Sequence, residues 1–285
     1  MLESGALREH TIIVTGGGTG LGKAMSTKLA SLGANVVIAA RSLDRLEGAA
    51  KEIEAATGAS VMATRVDVRE LASCEAMVAA AVKRYGSIQG LVNNAAGNFL
   101  VAAEDLTPGG FDAVVGIVMK GSFNATQAAG KQLIAQGKGG AILNILTTYA
   151  WTGSAFVLPS AMAKAGVLAM TRSLAVEWGS GYGIRVNAIA PGPFKTEGAW
   201  HALVPNEALE DRAKQRIPLR RFGDPEELAN LAAYLLSPYS AYINGDCITI
   251  DGGEWLQGAS AFSSFTEMPR DDARALFKAM RGVKK

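Results

Sequence analysis

The stretch Thr11-Ile12-Ile13-Val14-Thr15-Gly16-Gly17-Gly18-Thr19-Gly20-Leu21-Gly22 decides the fold. Residues 11–14 are rich in β-branching and read as a buried strand. They run directly into a glycine-rich loop. A helical apolar pattern follows over 23–32, and Gly33 ends it. Residues 36–39 then read as a second buried strand, completing a β–glycine loop–α–β unit. In such a unit Gly16 allows a sharp turn, while Gly20 and Gly22 allow backbone and helix to approach closely. The helix presents free N–H groups and its positive end to a pyrophosphate. The spacing differs from the simple GxGxxG form, and a purely structural glycine loop is the competing reading. Its place between a strand and a helix favours the cofactor.

The same alternation continues outward. Helices are predicted over 43–56, 71–85, 111–132, 163–178 and 226–236, with Gly116 and Gly121 inside the third. Strands are predicted over 61–66, 91–93, 141–146, 184–189 and 247–250. The expected fold is α/β: a single-domain, Rossmann-like, doubly wound sheet of about seven parallel strands with helices on both faces. No Pro- or Gly-rich linker divides residues 1–285. The Gly, Pro and Trp content of 191–225 breaks the rhythm and predicts a substrate-covering loop at the carboxyl end of the sheet. Residues 259–285 form a C-terminal extension. In it Ala273, Leu276, Phe277 and Met280 share one face of a helix over 271–280, which should dock on the core or on another subunit.

Composition excludes several classes. A content of 49% hydrophobic and 19% charged residues is that of a globular chain, not a disordered one. The net charge of +2 comes without a dense basic cluster, so no nucleic-acid footprint is present. No run has the length of a membrane span, and MLESGALREH lacks the apolar stretch of a secretory signal. Cys74 and Cys247 read as buried thiols, and His10 and His201 are isolated, so no metal site is expected. A soluble, cytoplasmic protein is the expectation.

Arg41 closes the second strand, where the adenosine ribose of a dinucleotide would lie. A carboxylate there would suit the two ribose hydroxyls of NAD, whereas arginine suits a 2′-phosphate. A plain surface arginine is the alternative. Asp67 ends the third strand and would accept a bond from the adenine amine, or else cap the helix that begins at Leu71.

Taken together, the Thr15–Gly22 loop, Asp67, Asn93-Asn94-Ala95-Ala96-Gly97, Lys164, Asn187 and Pro191-Gly192 resemble the short-chain dehydrogenase/reductase family over nearly the whole chain. The resemblance implies NADPH as cofactor. It would be held by Gly16, Thr19, Gly20, Leu21 and Gly22, by Arg41 and Ser42, by Asp67 and Val68, by Asn94 and Ala95, by Lys164, and by Pro191, Gly192 and Thr196. The chain departs from the family pattern at the catalytic tyrosine. Four residues before Lys164 stands Ser160. The customary serine position holds Thr147, and the customary helix asparagine position holds Val118.

Residues 93–99, 147–156, 159–166, 191–200 and 221–234 resemble, within that family, the mitochondrial type of 2,4-dienoyl-CoA reductases. That resemblance implies NADPH-dependent reduction of a 2,4-dienoyl-CoA to an enoyl-CoA. Hydride adds at the far carbon of the diene, and charge gathers on the thioester oxygen as a dienolate. Tyr149 and Asn98 would donate to that oxygen. Lys164 would bind the nicotinamide ribose hydroxyls, Ser160 would hydrogen-bond the substrate or orient a neighbour, and Thr147 would be a supporting donor. Each has a structural alternative: Tyr149 packing under its loop, Asn98 capping a turn, Ser160 capping a helix, Thr147 ending a strand. Lys164 at the start of so apolar a helix has the weakest one. A homotetramer and an acyl-CoA substrate are further implications. Trp200, Leu203 and Pro205 would cover the acyl chain, and Lys195, His201 and Arg212 would meet phosphates. The lack of a targeting extension points to a bacterial protein. A carbonyl reductase and a weakly catalytic cofactor-binding scaffold are the competing functions.

Overall fold

A strand covered on both faces must be apolar on both, and this chain's strands are. In β1 (Thr11–Thr15), Ile12 and Val14 point into one core and Ile13 into the other. In β2 (Asn35–Ala40), Val36 and Ile38 oppose Val37 and Ala39 in the same way. The computed structural model describes residues 2–196 and 207–282. It adds β3 (Val61–Arg65), β4 (Gly90–Asn93), β5 (Gly140–Ile145), β6 (Ile184–Pro191) and β7 (Cys247–Ile250). All neighbouring strands pair in parallel, in the order β3-β2-β1-β4-β5-β6-β7. The chain is therefore a single-domain, Rossmann-like doubly wound fold, as the alternation predicts. The strand order reverses between β1 and β4, which opens a crevice at their carboxyl ends.

One face carries α1 (Gly20–Ser31), α2 (Leu43–Thr57) and α9 (Pro225–Leu236), through Met25, Leu29, Leu46, Ile53 and Leu228. The other carries α3 (Leu71–Tyr85), α5 (Gly121–Gln136) and α7 (Leu158–Tyr182), through Met77, Ala125, Leu133 and Ala175. Truncating a fully buried side chain such as Leu29 to alanine costs about 2–5 kcal/mol. Arg185, at the start of β6, donates to the carbonyls of Leu235, Ser237 and Ile243 and so closes the carboxyl end of α9.

Two helices differ from their predicted extents. The single helix expected over 111–132 is α4 (Pro108–Val115), a widened π turn (Gly116–Lys120) and then α5. Thr107 caps α4, accepting from Gly110 N at 3.1 Å. Helix α7 starts at Leu158 rather than 163, because Pro159 fits a first turn that needs no N–H. Ser160 lies inside that turn, so it is not the helix cap. The remaining helices are α6 (Tyr149–Thr152), α8 (Glu207–Arg216), α10 (Glu254–Ala259) and α11 (Arg270–Gly282). Of the face expected to dock, Ala273 is buried and Phe277 stands edge-on to Phe265 of the same extension at 5.1 Å, whereas Leu276 and Met280 are exposed. No helix among the described residues is long and apolar enough to cross a membrane.

Candidate active site

The loop between β1 and α1 is built by close backbone contact. Gly16 and Gly20 have positive φ values of 65° and 50°, a conformation that favours glycine. A Cβ on Gly22 would lie 2.1 Å from Gly16 O and 2.6 Å from Asn94 Nδ2, so only glycine fits there. Asn94, at the end of β4, donates to the carbonyls of Thr15 and Gly16. Thr15 Oγ1 receives the N–H groups of both Asn94 and Ala95. The first turn of α1 has no side-chain cap from Thr19 and no acidic residue. Its N–H groups and positive end are thus left to an outside anion, and the loop fits the pyrophosphate of a dinucleotide. Leu21 and Thr196 face the adjoining cleft, with Pro191 and Gly192 along its wall.

At the ends of β2 and β3 the charges are arranged differently from expectation. Arg41 and Ser42 are exposed. Asp67 does not cap α3, whose cap position is Glu70. Its carboxylate is instead gripped by the Arg69 guanidinium, with Nε at 2.9 Å and Nη2 at 2.5 Å, and receives the Arg69 N–H. The Arg69 hydrogen bonds lower the Asp67 pKa to about 2, and the Arg41 charge adds to this. Sequence reasoning missed Arg69, although Asp-x-Arg directly after a strand was the available signal. Val68 points inward, packs against Gly121, and gives its carbonyl to Asn124 Nδ2 at 2.9 Å.

At the end of β5 the structure brings three of the predicted catalytic residues together. Tyr149 opens α6, and its hydroxyl lies 3.1 Å from Ser160 Oγ. Ser160 is only 2% exposed, so its hydroxyl is enclosed at the start of α7 against the phenol from α6. One turn on, Lys164 is buried and donates through Nζ to the carbonyl of Ile145, the last residue of β5. Burial lowers its pKa to about 8. Val118 stands in the π turn, packed on Ala163 and Val114, and its carbonyl accepts from Ser122 Oγ at 2.6 Å. Below the site, Asn93 Nδ2 bonds Thr126 and Asn144, and Asn144 bonds Thr171. These buried bonds tie β4 and β5 to each other and to α5 and α7.

Thr147 and Tyr149 line a cleft of about 700 Å³ that also takes in Phe194, Ala213, Arg216, Glu254 and Trp255. Trp255 meets Trp151 of α6 edge-on, with ring centroids 5.9 Å apart, a contact sequence reasoning did not find. Asn98 is exposed in the segment after β4, and the structure does not join it to Tyr149. The two segments do meet nearby, where Val101 N donates to Phe156 O at 3.0 Å. Phe156 holds a positive φ of 63°, unusual for a bulky residue. Lys195 pairs with Glu210, beside a groove along α1 rather than in the cleft. Trp200, His201, Leu203 and Pro205 lie outside the described residues. No group of metal-ligating side chains occurs among the described residues.

Residues 16–254 match the family described as enoyl-(acyl carrier protein) reductase. A Bacillus subtilis protein named "Probable 2,4-dienoyl-CoA reductase [(2E)-enoyl-CoA-producing]" is 50% identical over 250 residues, covering 88% of this chain and 98% of that one. A Caenorhabditis elegans protein named "Probable 2,4-dienoyl-CoA reductase 3 [(3E)-enoyl-CoA-producing]" is 43% identical, covering 89% and 83%. The crystal structure of a short chain dehydrogenase from Bacillus anthracis superposes with a TM-score of 0.80 at 46% identity, covering 88% of this chain and 98% of that one. The open helix end, the buried lysine and these likenesses agree: the chain is an oxidoreductase of the short-chain dehydrogenase/reductase family.

Proposed function

We propose that the chain reduces 2,4-dienoyl-CoA thioesters with NADPH. The observation that carries the reading is the Tyr149–Ser160 hydrogen bond of 3.1 Å. A phenol supplied from α6 meets Ser160, one turn before Lys164, where an ordinary ketone reductase of the family would use a tyrosine on α7. NADPH, held along the Gly16–Gly22 loop and by Lys164, would supply the hydride. Tyr149 O–H donates to the thioester oxygen as charge gathers there. Asn98 N–H₂ turns in from its exposed segment as the second donor. Lys164 fixes the ribose hydroxyls and contributes positive charge, with its own position set by Ile145 O. Ser160 orients the phenol, and Thr147 lines the approach.

The reaction balances simply. Hydride adds to the terminal diene carbon, and the resulting dienolate takes one proton from water. Protonation at the α-carbon leaves a 3-enoyl thioester, and at the γ-carbon a 2-enoyl thioester. The relatives' names differ on this outcome, the Bacillus subtilis one giving the (2E) and the Caenorhabditis elegans one the (3E) product.

The preference for NADPH is supported by Arg41 and Arg69, two guanidinium charges acting on the same carboxylate at the ends of β2 and β3. The reading of 191–225 as a substrate cover is supported by its described parts, since Ala213 and Arg216 of α8 line the cleft; residues 197–206 lie outside the described residues. A homotetramer is supported by exposed Met119 and Phe123 beside Gly166 and Met170 on α7. Light scattering tests this, and a monomer defeats it. The acyl-CoA substrate and the bacterial relative suit a cytoplasmic setting.

The deciding experiment offers dienoyl-CoA, enoyl-CoA and ketone substrates with NADPH and with NADH. Turnover of the dienoyl thioester alone, with the product double bond placed by mass spectrometry or NMR, is the expected result. Preferred ketone reduction would favour a carbonyl reductase instead. Inactivity on all three classes would leave a cofactor-binding scaffold.

A further inference from the structure

The cleft that holds Tyr149 does not end at Trp255. Through Arg216, Glu254 and Gly258 it continues into a second recess of about 840 Å³, between α8 and the C-terminal extension. Three guanidinium groups line this recess: Arg212, Arg216 and Arg220. Arg212 and Arg216 are one helical turn apart on α8 and therefore share a face. Arg220 is placed by the backbone. Its φ is +57°, a left-handed value uncommon for a residue with a side chain. Its guanidinium donates to the carbonyls of Gln215 and, at 3.3 Å, Thr266. Gln257 fixes the opposite wall through Ser263 O and Thr266 Oγ1, at 3.3 and 2.8 Å.

The negative charges facing the recess are Glu254 and Glu267. No ion pair within 4.0 Å takes up any of the three arginines among the described residues. Cationic character therefore exceeds anionic, and the excess sits on planar donors that match phosphate oxygens. A recess that is basic, partly preorganised and continuous with an apolar catalytic cleft suits a ligand with an apolar end and a polyphosphate end.

We infer that the Arg212–Arg216–Arg220 recess binds the phosphate groups of coenzyme A, while the thioester end lies in the Tyr149 cleft. The inference rests on the acyl-CoA reading of that cleft. It makes the C-terminal extension part of the substrate site, because Thr266 orients Arg220 and Ser263 and Glu267 close the wall.

The test is calorimetric and needs no turnover. The full chain, saturated with NADP⁺, is titrated with coenzyme A, with 3′-dephospho-coenzyme A and with pantetheine. Arg212→Ala and Arg220→Lys are measured beside the native chain, with melting curves to report folding. The native chain should bind coenzyme A on the order of a hundredfold more tightly than pantetheine. Each variant should lose roughly tenfold of that advantage and keep the pantetheine affinity. A weaker affinity for dephospho-coenzyme A places the 3′-phosphate in the recess, and an equal one places the pyrophosphate there. Equal binding of coenzyme A and pantetheine overturns the inference, as does unchanged coenzyme A binding in both folded variants. Failure to reduce any dienoyl thioester, with coenzyme A binding intact, would instead overturn the proposed reaction alone.

Discussion

Around Gly22 the chain has no spare volume, whereas around Tyr149 it has one hydrogen bond and an open cleft. The glycine loop is fixed by backbone packed against backbone, with Asn94 as a clamp from β4. The Tyr149 side is held by side chains from two separate segments, after β5 and at the start of α7. The first arrangement tolerates no added atom. The second can exchange residue types if the donor still arrives at the same point.

The largest expected effect lies on the side-chain-built side. Tyr149→Phe keeps the ring and removes the donor, and should lower kcat by a hundred- to thousandfold, about 2.7–4 kcal/mol. NADPH affinity, followed by fluorescence titration, should stay within a factor of about two. Near-normal dienoyl-CoA reduction by this variant would dissolve the contrast, because the donor would then not come from α6.

Gly22→Ala tests the backbone-built side. The added methyl would overlap Gly16 O, and the overpacking should cost about 1–3 kcal/mol of stability, read as a lowered Tm. NADPH affinity should fall on the order of tenfold as the loop shifts. An unperturbed variant would mean that the loop can give way, and that the two sides differ less than the geometry indicates.

Arg41→Ala should raise the KM for NADPH on the order of tenfold while leaving NADH nearly unaffected. Equal changes for both cofactors would remove Arg41 from the 2′-phosphate. Retained discrimination in Arg41→Ala that is lost in Arg69→Ala would assign the contact to Arg69.

The smallest effect is a pH dependence that reports on Lys164. Its pKa of about 8 in the folded chain lies below the ordinary lysine value of 10.5. Between those values the unfolded chain binds more protons than the folded one. Stability therefore gains from this group as pH rises from about 8 to 10.5, and its burial cost is fully present below 8. Activity should move the opposite way, because the cation is the useful form. The kcat/KM for NADPH should be about half its plateau near pH 8 and fall further above it. Stability and activity moving together through this window would show that another group controls the rate.

The cofactor side was legible in the sequence because its signals are local. A strand, a run of glycines and a helix follow one another, and Asn94 marks the neighbouring strand. The alternation of buried strands and helices carried the parallel, seven-stranded sheet for the same reason, while the order of its strands came only with the structure. The catalytic side was legible only through resemblance. Tyr149 and Ser160 are eleven residues apart, and no periodicity says that they touch. The Asp67–Arg69 fork, the Trp151–Trp255 contact and the basic recess depend on tertiary placement or on side-chain rotamers, which spacing does not encode. The π turn at Gly116–Lys120 escaped because a widened turn has the same apolar rhythm as the helices on either side.

The contact between Tyr149 and Ser160 also constrains ancestry. A predecessor with a tyrosine at both positions would have to fit a second phenol into a spot where the serine is already almost wholly enclosed. One with a tyrosine at neither would lack the phenolic donor. The passage from one arrangement to the other therefore crosses either a crowded intermediate or a donor-deficient one.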